Sequence, residues 1–219
     1  RKLPENSPKT LRKLSDNFYL SSNIVKFALN INLMQSTINQ ITLNSGYSKL
    51  LCYQKSVVIF DLTHHFCKRF ISSHDRTYDQ MTQAARSGKQ NIIEGHASLS
   101  TSKESGIKLL NVARASLLEL LEDYFDYLRL RNIEPWGRDS IEAKTMANLG
   151  VRHKESQYFI AMAESRSDIV IANMTIILIK QAMVLIEKYI RSVVSRFAEE
   201  GGFREKMTKV RLEVRNKQS

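Results

Sequence analysis

Two clusters of side chains in this 219-residue chain have the types and spacing that chemistry uses. His64, His65 and Cys67 fall within one helical turn. His64 and Cys67 stand at i and i+3, a step that aims two metal ligands the same way from a helix. A third ligand is not evident, so the group reads as neighbouring positions on a half-exposed helix face, and no metal site is assigned. Glu119, Glu122, Asp123 and Asp126 form the second cluster. Carboxylates four residues apart on a helix can hold a divalent ion. A di-metal site built among four helices, however, needs a Glu-x-x-His step from two of them, and no segment here supplies it. The cluster reads as a solvated charged face, or as an acceptor for the basic surface of a neighbouring subunit. No nucleophile elbow, phosphate-binding glycine loop, dinucleotide fingerprint or zinc-protease signature occurs. The expectation is therefore a non-enzymatic protein without a cofactor.

Basic residues carry the stronger signal. The formal net charge is +11 and the isoelectric point about 9.7. Residues 1–47 and residues 203–219 each hold six Lys/Arg against two acids, so the flanks carry +8 and the body +3. Basic flanks are a phosphate-seeking device. Within the body, Arg86, Lys89, Lys103 and Lys108 are the leading candidates for nucleic-acid contact, with Lys68, Arg69 and Arg76 next. Repeated around the axis of an oligomer, such weak sites make a multivalent basic surface, whose binding tolerates sequence and weakens with salt. No aromatic cluster of the kind that reads single-stranded bases is present.

Helices must position these residues. Eight Gly and three Pro are too few for a turn-rich β fold, and a 42% hydrophobic fraction is enough for a core. The spacing predicts a helix over Ser48–Ile71, with Leu51, Val58, Leu62, Phe66 and Phe70 on one stripe interrupted at Lys55. A second helix follows over Asp75–Gly95, with Asp75 as N-cap. At 100° per residue Met81, Ala84, Ala85, Gly88, Ile92 and Gly95 share one narrow stripe of mostly small residues, which lets a neighbour approach closely. Ser102 caps a third helix that runs to Arg131 through Leu109, Leu110, Ala113, Leu117, Leu120, Leu121, Tyr124 and Leu128. Asp139–Leu149 is a short connecting helix closed by Gly150.

The longest helix is expected over Glu155–Glu199, stopped by Gly201 and Gly202. Ile176, Ile179, Met183, Ile186, Ile190, Val193 and Phe197 form one face, and Val170, Met174, Ile177, Gln181 and Val184 a second. With four helices available, the second face needs another cover, and an identical subunit is the simplest. The apolar run Ile169–Ile179 is too short to span a bilayer, and the start RKLPENSPKTLRK has no apolar stretch behind its charges, so neither membrane nor secretion is expected. Cys52 and Cys67 lie fifteen residues apart in one helix, about 22 Å of rise, too far to bridge. Free thiols suit the cytoplasm. Residues 1–45 read as a loosely ordered extension with a short helix near Ser22–Met34, 46–202 as the helical body and 203–219 as a basic tail. The fold class expected is all-α, an up-down four-helix bundle with loosely ordered flanks.

Four segments carry a family resemblance: GYSKLLCYQKSVVIFDLTHHFCKRF, DRTYDQMTQAARSGKQNIIEG, STSKESGIKLLNVARASLLELLEDYFDYLR and EEGGFREKMTKVR. Together they cover roughly Gly46 to Arg211 and resemble the four-helix-bundle suffix-domain proteins of bacteria. The NIIEG close of the second segment is similar, more distantly, to two relatives. One is the bundle protein of intervening sequences in bacterial large-subunit ribosomal RNA genes. The other is the accessory variability protein of diversity-generating retroelements. The resemblance implies an up-down four-helix bundle and, from the two relatives, a closed homopentameric ring. From the retroelement relative it further implies a basic nucleic-acid surface and a reverse transcriptase as partner. Asn91, Glu94 and Gly95 match the shared motif. Their expected role is structural, with Gly95 ending or bending the helix and Asn91 and Glu94 tying it to neighbours. The functional expectation is an oligomer that binds RNA or DNA through phosphates as an accessory factor or chaperone. The alternative is a protein-binding assembly module.

Overall fold

A computed structural model describes residues 44–200 and Leu212. Most of the N-terminal extension, the short helix expected near Ser22–Met34, the Gly201–Gly202 stop expected for the last helix and all of the basic tail but Leu212 fall outside the described residues. Among the described residues the chain is all-α. A 3-10 turn at Asn44–Lys49 leads into α1 (Leu51–Phe70), followed by α2 (Arg76–Ser98), α3 (Lys103–Arg129), α4 (Ile141–Arg152), α5 (Ser156–Glu164) and α6 (Asp168–Glu200). The four long helices pack in a closed circuit, α1 on α2, α2 on α3, α3 on α6 and α6 on α1. The short α4 packs on α6, and α5 on α1.

The starts of these helices follow from local chemistry. The Asp75 carboxylate accepts from the Thr77 N–H at 2.9 Å, Ser102 Oγ from Ser105 N–H at 3.2 Å, and Ser140 Oγ from Ala143 N–H at 3.1 Å. Each satisfies a donor that the first helical turn leaves open. The buried residues of α2 are Met81, Ala84, Ala85, Gly88, Ile92 and Gly95, the stripe that the 3.6-residue period selects.

That stripe faces α3, the most extensive helix pairing among the described residues. Gly95 does not end α2, which continues to Ser98. It lies instead at the closest crossing, opposite Gly106. A Cβ on Gly106 would stand 2.5 Å from Leu99 Cδ2 and 2.8 Å from the Gly95 carbonyl oxygen, a backbone atom with nowhere to go. Gly106→Ala is therefore expected to lose about 2 kcal/mol. Overpacking of roughly 3 kcal/mol outweighs the ~1 kcal/mol that alanine gains in helix propensity. Gly137→Ala, where a Cβ meets nothing within 4 Å, should stay within about 0.5 kcal/mol. Urea unfolding of the pair measures the difference, and equal midpoints would refute the close-approach account.

Asn91 and Ser87 fasten the same interface. Ser87 Oγ is 2.9 Å from Ser116 Oγ of α3, while Asn91 Nδ2 donates to Ser87 O and Oγ at 3.0 and 3.1 Å. Glu94 is exposed. Deeper in the core Phe66 touches Tyr124 and Tyr127, and Tyr124 donates its hydroxyl to Thr63 Oγ1 at 3.1 Å. Tyr127 OH donates to Asp168 Oδ2 at 2.9 Å, tying the end of α3 to the start of α6.

Three expectations change. The helix expected over Glu155–Glu199 is two helices, because the chain breaks at Ser165–Ser167. The Ser167 carbonyl accepts the first bond of α6, from Ile171 N–H. Arg69 of α1 reaches across to the carbonyls that the break frees, at 2.9 Å to Ala163 O and 3.4 Å to Arg166 O. Gly150 does not close α4, which runs on to Arg152. It admits α6 instead, since a Cβ there would meet Leu178 Cδ2 at 2.9 Å. Thirdly, the apolar stretch is longer than Ile169–Ile179: within Asp168–Arg196 an 18-residue window of mean hydropathy 2.2 makes the helix long and apolar enough to cross a membrane by length and composition. Of that window 56% is buried against the other helices, and a core helix passes the same test.

The second face of α6 also finds cover inside the chain. Gln181 Nε2 donates to Ala147 O of α4 at 2.8 Å, and Trp136 N–H donates to Asn173 Oδ1 at 2.7 Å. Met174 is buried, while Val170, Ile177 and Gln181 are half-buried. Val184 remains 51% exposed. The premise that only four helices were available to hide this face does not hold.

Candidate nucleic-acid interface

The seven basic positions read from the sequence lie at three levels along α2. Lys68 and Arg69 occupy the last turn of α1, next to Arg76 at the start of α2. Arg86 and Lys89 sit mid-helix, and Lys103 and Lys108 lie in the first turns of α3 at the opposite end. At 1.5 Å per residue the set spans roughly 35 Å, about one turn of B-form DNA. The structure does not gather them into one patch.

Their surroundings differ. Lys68, Arg76, Arg86 and Lys103 are exposed and make no ion pair among the described residues. Lys108 pairs with Glu104 at 2.8 Å, and the shared hydrogen bond raises the lysine pKa and lowers that of the carboxyl. Both groups are fully exposed, so the pair is screened and a phosphate competes for the lysine at little cost. Lys89 is half-buried with Nζ 3.9 Å above the Phe60 ring of α1, a cation–π contact that engages its charge. Arg69 is committed to the α5–α6 break, and also lies 3.2 Å from His65 Nε2. Acids interrupt the outward face of α2, where Asp79 and Glu94 are both exposed.

The two clusters with metal-like spacing do not converge. Cys67 is fully buried, and burial, with Asp123 nearby, pushes its thiol up to about 12, whereas His64 is exposed. Burial likewise raises Cys52 to about 11, so neither thiol is a ready nucleophile. Of the four carboxylates on α3, Glu119, Glu122 and Asp126 are exposed. Asp126 pairs with Arg129 at 2.8 Å. Asp123 has its pKa raised by burial first, then by Asp126 and Glu119. Among the described residues no group of three or more His, Cys, Asp or Glu is placed to hold a metal ion.

One chemically distinctive residue figures in the sequence reading only as a gap in a stripe. Lys55 stands where the apolar stripe of α1 has its gap, and the structure buries it to 7% exposure. Its ammonium donates to the Gly150 carbonyl in the last turn of α4. The available signal was its place in the heptad-like spacing, three before Val58 and four after Leu51. A lysine there is either a break in the stripe or a buried cation, and composition does not distinguish the two. Comparison with protein-family models, with curated proteins and with solved structures finds no match.

Proposed function

We propose that this chain is a non-enzymatic, oligomeric, up-down four-helix bundle that binds RNA or DNA through phosphates, acting in the cytoplasm as an accessory factor or chaperone. The short connections α1–α2 and α2–α3 and the closed circuit of long helices support the bundle topology. The observation that carries the binding role is the set of exposed cations Lys68, Arg76, Arg86 and Lys103, without an ion pair among the described residues and spread over a length comparable to a turn of nucleic-acid backbone, in a chain of net charge +11. Spread cations without an aromatic platform favour sequence-tolerant contact. Self-association is supported by an apolar groove between α3 and α6, where Leu118 is 45% exposed beside Ala115, Met183 and Val184. A ring of five copies, a reverse transcriptase as partner and kinship with the suffix-domain proteins rest on the sequence resemblance.

Filter binding of a labelled 30-base-pair duplex and of single-stranded RNA, titrated with salt, tests the reading. A log–log slope of about −3 or steeper is expected from four phosphate contacts. Arg86→Gln combined with Lys103→Gln should flatten it by about two. No retention at low salt would overturn the nucleic-acid role. That outcome would favour the second reading, an assembly module, which the scatter of the cations and the engagement of Arg69 and Lys89 support. Sedimentation at micromolar concentration tests the assembly itself, and Leu118→Glu should dissociate it.

A further inference from the structure

The chain holds a cavity of about 560 Å³ where α4 stands off from α1 and α6. That volume lies within the range of small-molecule sites. Its walls are apolar, with Leu51, Trp136, Val151, Ile177 and Val184 among them. The charged groups lining it are Lys55, Arg138, Lys154 and Lys180, and among the described residues no Asp or Glu does so. Lys55 is more than nine-tenths buried. An ammonium has three N–H donors, and Gly150 O takes one. The Phe159 ring lies 6.0 Å away, and no carboxylate pairs with the lysine among the described residues. The amide oxygens of Gln54 and Gln181, which also line the cavity, have no hydrogen-bond partner among the described residues, and as acceptors they call for a donor such as water rather than for the anion itself. Their amide nitrogens are anchored on Ser48 O and Ala147 O at 3.0 and 2.8 Å, so the oxygens are held in place.

A buried cation without a counter-charge is costly unless something completes it. The last-turn carbonyls of α4 do part of this through the negative end of the helix. An apolar chamber whose charged lining groups are all cations, one of them buried, selects one ligand chemistry. We propose that this cavity binds a small amphipathic carboxylate, its head group paired with Lys55 and its apolar body lying between α4 and α6. The ligand's charge supplies the missing counter-ion, and its body displaces water from the apolar walls. Arg138 and Lys154 guide the anion in.

Trp136 is the one tryptophan of the chain and lines the cavity, so its emission reports occupancy without a label. The full-length protein is titrated with decanoate below its micelle concentration, at fixed ionic strength, with decanol as the neutral control. Decanoate should shift the Trp136 emission saturably at one per chain, with at least tenfold higher affinity than decanol. Lys55→Met keeps the length of the side chain and removes the charge, and should abolish that preference. Val151→Glu places a like charge at a 73% exposed position of the lining, where folding is not at stake, and should weaken decanoate at least fivefold with little effect on decanol. Equal affinity for decanoate and decanol in the wild type, no saturable change, or an undiminished preference in both variants would overturn the proposal.

Discussion

Phe66→Ala is expected to lower the stability of the helical body by about 4 kcal/mol, the largest effect of any single substitution considered for this chain. Phe66 is fully buried and joins three other rings, with centroids 5.5 Å from Phe70, 5.1 Å from Tyr124 and 4.8 Å from Tyr127. The tilted and edge-on geometries are those in which ring quadrupoles attract, contributing roughly 0.5–1.5 kcal/mol per pair beyond burial. The hole cannot collapse easily, because its walls are fixed from two sides. Tyr124 is held by Thr63 and Tyr127 by Asp168. Phe66→Leu, which keeps most of the volume, should cost about 1.5 kcal/mol. For a domain of this size, each kcal/mol moves the melting temperature by roughly 2–4 °C, so the alanine variant should melt about 8–16 °C lower. A drop of less than about 1 kcal/mol would mean that the aromatic cluster is not a unit.

Lys55→Met should have the opposite sign near neutral pH and a pH dependence that identifies the cause. Burial lowers the Lys55 pKa from 10.5 to about 8. Below pH 8 the lysine is charged in both folded and unfolded states, and folding carries the full desolvation cost. A shift of this size corresponds to about 3 kcal/mol. Between pH 8 and 10.5 the folded state binds fewer protons than the unfolded state, so wild-type stability contributed by this group rises with pH. Methionine removes the charge but also removes the donor to Gly150 O, a loss of about 1 kcal/mol. The variant should therefore be more stable by on the order of 2 kcal/mol at pH 7, and less stable by on the order of 1 kcal/mol above pH 10.5. The difference changes sign between those limits. Cys52, Cys67 and Tyr127, all raised by burial, titrate in the opposite sense, but they are common to both proteins and cancel in the difference. Chemical denaturation at four pH values measures the swing, and a difference independent of pH would show that Lys55 is solvated. A residue whose charge destabilises the fold yet lines a cavity of about 560 Å³ points to a role other than folding, which is the stability counterpart of the proposed carboxylate site.

The parts of this protein that were legible in its sequence are those that short-range physics decides. The α2 stripe from Met81 to Gly95 follows from the helical period alone, and the caps at Asp75 and Ser102 follow from side-chain oxygens within reach of their own backbone N–H groups. The small residues of the stripe announced a close neighbour before that neighbour was known. Gly88 and Gly95 indeed lie against Leu117 and Gly106 of α3. The Ser165–Ser167 break carried a local signal as well, a serine before an aspartate. An uninterrupted apolar period on both sides masked it.

What the sequence by itself determined, then, is the all-helical class, most of the face that each helix of the core buries, and a net charge of +11. Only the tertiary structure decided which helix hides the second face of α6, whether Gly95 and Gly150 stop helices or admit neighbours, and that Lys55 lies inside. It alone showed that seven cations adjacent in argument stand at three levels along 35 Å. The reason is range. Period, capping and charge are set within one or two turns of chain, whereas the fate of a glycine or a lysine on an apolar stripe depends on what another helix, 50 or 100 residues away, brings against it.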